Sequence, residues 1–200
     1  KVSVSEGENL IIIKTNKTKG SRLIEVKRGE TINIDVSKLK FEAKKEGYVL
    51  VSDIFAETAS QEKEHAERMF KWLEGGPVEI TCTYPAGKIG TTVENLKAAA
   101  AGENEEWSHD YPAFADVAEK EGFDEIAAMY RKIAVAEKYH EERYNKLLQR
   151  IENGTMFDNG APIKWRCRNC GYIHEGSSAP EKCPACLHAK AYFERFAENF

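Results

Sequence analysis

The sequence predicts a mainly α protein, a helical bundle followed by a small metal-bound β domain, and three features predict it. Two long helical segments each carry Glu-x-x-His, a helical segment between them carries Glu-x-x-Glu, and WRCRNCGYIHEGSSAPEKCPAC holds two CxxC pairs twelve residues apart. The 200 residues, 42% hydrophobic, suffice for one domain with a small appendage and a real core. With a net charge of −4 there is no basic excess to follow a nucleic-acid backbone or an anionic membrane, so neither is expected as a partner. No apolar run approaches the ~20 residues of a membrane span, and KVSVSEGENL lacks the apolar core of a secretory signal. A cytoplasmic location is expected. Five cysteines, four of them in close pairs, read as metal ligation in a reducing compartment; Cys82, alone in EITCTYPAG, reads as a small buried side chain.

In chain order, NLIIIKT, RLIEV and ETINIDV are β-branched and broken by Gly20 and Gly29, so residues 1 to about 40 read as short strands or irregular chain. From Ser52 the pattern turns helical. SDIFAETASQEKEHAERMFKWLEGG spaces Ile54, Phe55, Ala59, Met69, Phe70 and Leu73 as a helix, with Ser52 or Asp53 as its cap and a Gly-Gly stop. A loop with Pro77, Pro85 and Gly87 leads to a second helical stretch, which Pro112 should kink or interrupt after Tyr111. The third helix runs from Asp124 to a stop near Gly154, and NGTMFDNGAP reads as a linker.

Glu62 and His65 are three residues apart, as are Glu137 and His140, so each pair shares one helix face and can reach a single point beside it. Between them, Glu103 and Glu106 repeat the spacing after small alanines that admit a close neighbour. Carboxylates with imidazoles suit iron or manganese. The plainer reading of any one such pair is a solvated helix face. Several carboxylates turned inward, however, need protons or cations to neutralise them, and two ferrous ions would supply four positive charges. This is the ligand plan of ferritin-like di-iron bundles.

At these residues the chain resembles the rubrerythrin family. EGYVLVSDIFAETASQEKEHAERMFKWLEGG, AAGENEEWSHDYPAFADVAEKEGF, IAVAEKYHEERY and WRCRNCGYIHEGSSAPEKCPACLHAKAYFE match its pattern in its order, over about residues 43 to 196. The resemblance implies a ferritin-like four-helix bundle plus a rubredoxin-like domain. It also implies a ligand set: Glu62 and Glu103 bridge two irons, Glu137 and His140 complete one, and Glu106 and His65 alternate on the other as its redox state changes. Tyr111 matches a tyrosine near the family's centre. The expected organisation is an atypical segment over 1–42, β-rich or a replaced first helix, a di-iron domain over 43–154, a linker over 155–163 and a rubredoxin-like domain over 164–200.

The family's first helix, which carries Gly-Glu-Ser, is not legible here. Gly29-Glu30-Thr31 echoes it, but Thr31, Ile32, Ile34 and Val36 favour strand, and Glu30 falls one residue out of register, about 100° around a helix. The element is different and the first iron weakly held, or a partner chain supplies the helix, or the sequence is altered here, as by a reading-frame error. Glu30 stands as a candidate ligand against the plainer reading of a turn residue after Gly29.

Cys167, Cys170, Cys183 and Cys186 can form a tetrahedral thiolate site, which zinc and iron share. The rubredoxin-like CxxCGY and CPAC strings and the neighbouring di-iron pattern assign iron, with zinc able to substitute; Trp165, Tyr172 and Phe193 are the expected core. The expectation is a peroxidase: two non-haem irons reduce hydrogen peroxide to water, and the thiolate-bound iron relays electrons from an external NAD(P)H-linked reductase. A ferroxidase or iron-handling protein and an inert zinc-ribbon interaction protein are the alternatives. Three legible helices leave an apolar face uncovered, so an oligomer is expected, and the resemblance implies a homodimer.

Overall fold

The computed structural model describes residues 34–73, 75 and 87–198. Among these residues five α-helices come first: α1 (Ile34–Lys45), α2 (Val49–Phe70), α3 (Thr92–Glu105), α4 (Tyr111–Lys120) and α5 (Asp124–Glu152). A π-helical turn, Glu106–Asp110, joins α3 to α4. Strands β1 (Asp158–Cys167), β2 (Ile173–Ser178) and β3 (Phe193–Arg195) form one antiparallel sheet in the order β2-β1-β3. The architecture is a ferritin-like bundle with a rubredoxin-like module: α1 lies along α2, and the arm from α3 to α4 packs on α5. Glu30, Cys82 and the strands expected at NLIIIKT and RLIEV lie outside the described residues.

Residues 34–42, in the segment expected to be β-rich or a replaced first helix, belong to helix α1. Isoleucine and valine early in this stretch favour strand locally, but Leu39 and Ala43, one turn apart, both join the bundle core. Burying a helix face outweighs propensity. The helix ends in a Schellman turn: Gly47, at φ +88°, donates to Lys44 O at 3.0 Å and Tyr48 to Ala43 O at 2.7 Å. So short a link starts α2 at Val49. Ser52, the expected cap, is fully buried inside the helix, and its N–H bonds Tyr48 O at 3.1 Å. Helix α3 opens on a capping box between Thr91 and Glu94.

The break expected at Pro112 takes the form of the π turn. Proline offers no N–H to the preceding turn, and the Tyr111 N–H instead reaches back five residues to Glu106 O. Pro112 then sits in the first turn of α4, where a missing N–H costs nothing.

Three inner stripes advance by three or four residues and so stay on one face each: Val51, Phe55, Thr58, Glu62, His65 on α2; Leu96, Ala100, Glu103 on α3; Ile133, Glu137, His140, Tyr144, Leu147 on α5. Apolar residues hold one end, where Phe55 and Tyr144 rings lie 5.6 Å apart. Ala115, Ala118 and Ala127 hold the other. Glutamates and histidines fill the layer between.

Residues 158–163, expected as linker, form the first half of β1. Trp165 and Phe193 are fully buried with Cys167, Cys183 and Ala179, and Tyr172 packs against them, as expected. The module rests on the start of α2, with Tyr48 stacked on Phe157 at 6.2 Å and Arg168 paired to Asp53 at 2.9 Å. Among the described residues no helix is long and apolar enough to cross a membrane. Leu96, fully buried in the bundle core, should be indispensable: Leu96→Ala is expected to cost ~2–5 kcal/mol in chemical denaturation. A near-neutral result would contradict this account of the core.

Candidate metal centres

Among the described residues three groups of side chains converge in metal-holding geometry, one of which, Glu105, His109 and Asp110, lies at the surface of the π turn. In the bundle, Glu62, Glu103, Glu137 and His140 each offer a ligand atom within 4.8 Å of the others. They come from α2, α3 and α5, so the site exists only when three helices pack. His140 Nδ1 lies 2.9 Å from Glu137, 3.0 Å from Glu62 and 3.5 Å from Glu103. His65 Nδ1 lies 3.0 Å from Glu137 and 3.2 Å from Glu62, at the edge of the same cluster.

These contacts are close but poorly directed. Glu62 Oε1, Glu103 Oε2, both Glu137 carboxylate oxygens and His140 Nδ1 are buried without a hydrogen bond of acceptable angle. Orphaned buried acceptors are costly, and these belong to side chains whose ligand atoms gather within 4.8 Å of one another. A cation satisfies them at once, and a donor set of carboxylate oxygens and imidazole suits iron. The residues therefore fit a metal.

The electrostatics agree. Burial pushes Glu106 up to about 8, with Glu103, Glu62 and Glu137 adding repulsion. Burial also raises Glu103. For Glu62 burial acts upward, but His140 and His65 outweigh it and hold the carboxyl at about 2. Glu137 and Glu62 raise His65 to about 9. Burial would lower His140, yet contacts with Glu103, Glu137 and Glu62 lift it to about 11. Without metal, two imidazolium ions and a protonated Glu106 take over the neutralising role. Glu106 opens the π turn, and Tyr111, one π turn later, is raised by burial and then by Glu106, so its phenol stays protonated.

In the module, Cys167 Sγ lies 3.7 Å from Cys186 Sγ and Cys170 Sγ 3.6 Å from Cys183 Sγ. All four sulfurs fall within 4.8 Å of one another. A disulfide would need ~2.0 Å. A tetrahedron with ~2.3 Å metal–sulfur bonds has edges of ~3.8 Å, which these distances match. The His188 backbone N–H holds Cys186 down at about 6, favouring its thiolate.

The structure thus gathers Glu62, His65, Glu103, Glu137 and His140, sets Glu106 and Tyr111 beside them, and gathers the four cysteines; Glu30 lies outside the described residues. Sequence reasoning passed over Gln61 and Arg143. His140 Nε2 lies 3.0 Å from Gln61 Oε1, and Arg143 donates to Glu57, Thr58 and Gln61. These are contacts between α2 and α5, and no local pattern announces them.

A family model described as Rubrerythrin matches residues 37–148, and one described as Rubrerythrin, rubredoxin-like domain matches residues 165–194. The chain is similar to a rubrerythrin of Porphyromonas gingivalis, 58% identical over 79% of each chain. It is 54% identical to a rubrerythrin of Nitratidesulfovibrio vulgaris, over 80% of this chain and 83% of that one. Among solved structures it resembles fully reduced, all-ferrous nigerythrin, with a TM-score of 0.51 and 29% identity over 80% of this chain and 77% of that one.

His65, His140 and Glu106 all bind protons more tightly in the folded chain than in the unfolded one. Their stabilisation is therefore greatest at low pH and drains as pH rises, from 4.5 to about 8 for Glu106 and from 6.5 to about 9 and 11 for the histidines. Thermal unfolding of metal-free protein should show Tm falling between pH 6.5 and 9. Metal affinity should climb over the same range, because ligation displaces these protons. A Tm that rises on alkalinisation would contradict the proton assignments.

Proposed function

Because the chain belongs to the rubrerythrin family, we propose that it is a peroxidase that reduces hydrogen peroxide to two waters, protecting a cytoplasm from peroxide. The family carries a di-iron site and a rubredoxin-like iron, in proteins of oxidative-stress defence. The observation that carries the reading is the presence, in one chain, of a buried carboxylate–imidazole cluster with orphaned acceptors and a four-sulfur site.

Glu62, Glu103, Glu137 and His140 would hold the two irons, together with Glu106 and His65 beside them. When bound, the pair supplies Lewis acidity and two electrons, and the iron held by the four cysteines supplies one-electron transfer. The protein's own part is placement and protons. Reduction of peroxide consumes two protons, and Glu106 and Tyr111 lie beside the cluster where they can hold them. Tyr111 stays a hydrogen-bond donor at physiological pH, which suits it to orient a peroxide oxygen. Its ring stacks on Tyr130 at 5.8 Å, which fixes its direction.

Electrons enter through the cysteine module from a separate NAD(P)H-linked reductase. The module rests near Asp53, and Glu62 lies nine residues further along α2, ~13 Å along the axis. We place the chain in a homodimer. Phe114, Val117, Val135 and Tyr139 leave large apolar side chains exposed on α4 and α5, and Tyr139 is 65% exposed.

The test is stopped-flow oxidation of iron-loaded, anaerobically reduced protein. Peroxide should oxidise both centres faster than oxygen does, with water the only product. Faster turnover with oxygen and accumulation of ferric mineral would establish the ferroxidase reading instead. A colourless protein holding only zinc at its cysteines would remove the electron relay.

A further inference from the structure

We infer that Gln61 is a positioning residue that fixes which nitrogen of His140 faces the carboxylate cluster. The inference rests on the proposal that His140 is an iron ligand. The orientation of the Gln61 amide is settled by its other neighbours. Arg143 has only donors, and its Nη2 lies 3.3 Å from one amide atom, which must be the carbonyl oxygen. Glu57 offers only acceptors, and its Oε1 lies 3.4 Å from the other, which must be the NH2.

Arg143 is itself anchored, donating to Glu57 Oε1 at 2.7 Å and to Thr58 Oγ1 at 2.6 Å, and Thr58 is buried. With the amide fixed, the atom 3.0 Å from Gln61 Oε1 must carry a proton, and that atom is His140 Nε2. When a metal replaces the proton on Nδ1, the Nε2 proton stays. Nδ1 is thereby the ligating nitrogen, pointing at Glu62, Glu103 and Glu137. A histidine ligand held by an acceptor on its second nitrogen keeps both tautomer and ring direction.

The acceptor's chemistry matters as well as its place. A carboxylate in this position would push electron density onto the imidazole. Gln61 is neutral, and the Arg143 guanidinium shares its oxygen, so the imidazole stays a weaker donor to the metal. The arrangement favours the ferrous form relative to one with a carboxylate partner.

Three full-length variants test this, each read by chelator competition for Fe(II) at the bundle site and by the midpoint potential of the di-iron couple, with absorbance of the thiolate-bound iron as a fold control. Gln61→Ala is expected to weaken iron binding at the bundle ~10–100-fold while leaving the thiolate-iron signal unchanged. Gln61→Glu keeps an acceptor and should restore affinity while lowering the potential. His140→Ala should weaken binding at least as much as Gln61→Ala. Wild-type affinity and potential in both Gln61 variants would overturn the positioning role. Wild-type affinity in His140→Ala would overturn the ligand assignment on which it rests.

Discussion

Glu62, Glu103, Glu106 and Glu137 converge from α2, α5 and the arm that runs from α3 into the π turn, and Glu137 is wholly out of contact with solvent. Four carboxylates cannot all be charged in a low-dielectric interior unless cations sit among them. The rest of the bundle answers that constraint. His65 and His140 supply positive charge when no metal is present, Glu106 keeps its proton, and apolar layers lie above and below the cluster. A chain that spends so much burial on acidic side chains is built for the ion that replaces those protons.

The sequence displays this layer because helical geometry converts distance along the chain into direction. Each inner stripe steps by three or four residues, and Glu62, Glu103, Glu137 and His140 occupy steps that Val, Leu or Ile fill elsewhere on the same faces. Two CxxC loops are similarly self-declaring, since four sulfurs so spaced have few other uses. What the sequence conceals is set by packing across elements. Helix α1 contains residues of strand propensity and forms because Leu39 and Ala43 meet the core. Ser52 looks like a cap but is buried inside α2, whose start is dictated by the Gly47 turn. Pro112 announced a break without its kind, and the π turn that results brings Tyr111 back beside Glu106. Gln61 and Arg143 act across the gap between α2 and α5, a distance no local pattern encodes.

Helix α2 links the two metal-binding regions. Its first turns receive the cysteine module through Asp53 and the preceding Tyr48, its middle bears Glu62 and His65, and Glu57, Thr58 and Gln61 on the side facing α5 hold Arg143 and His140. The Asp53–Arg168 pair is partly exposed and contributes little stability alone. Arg168 nevertheless lies inside the first CxxC loop and also pairs with Glu194 on β3, so it joins the thiolate loop, the sheet and α2. The module's orientation on the bundle thus depends on the same helix that carries Glu62 and His65.

The most direct measurement is anomalous scattering at the iron edge from crystals of protein reconstituted with iron under anaerobic conditions. The account predicts three iron peaks per chain: one among Cys167, Cys170, Cys183 and Cys186, and two in the layer of Glu62, Glu103, Glu137 and His140, with His140 Nδ1 turned toward one of them. A single peak at the cysteines, with the bundle glutamates turned outward to water, would contradict it.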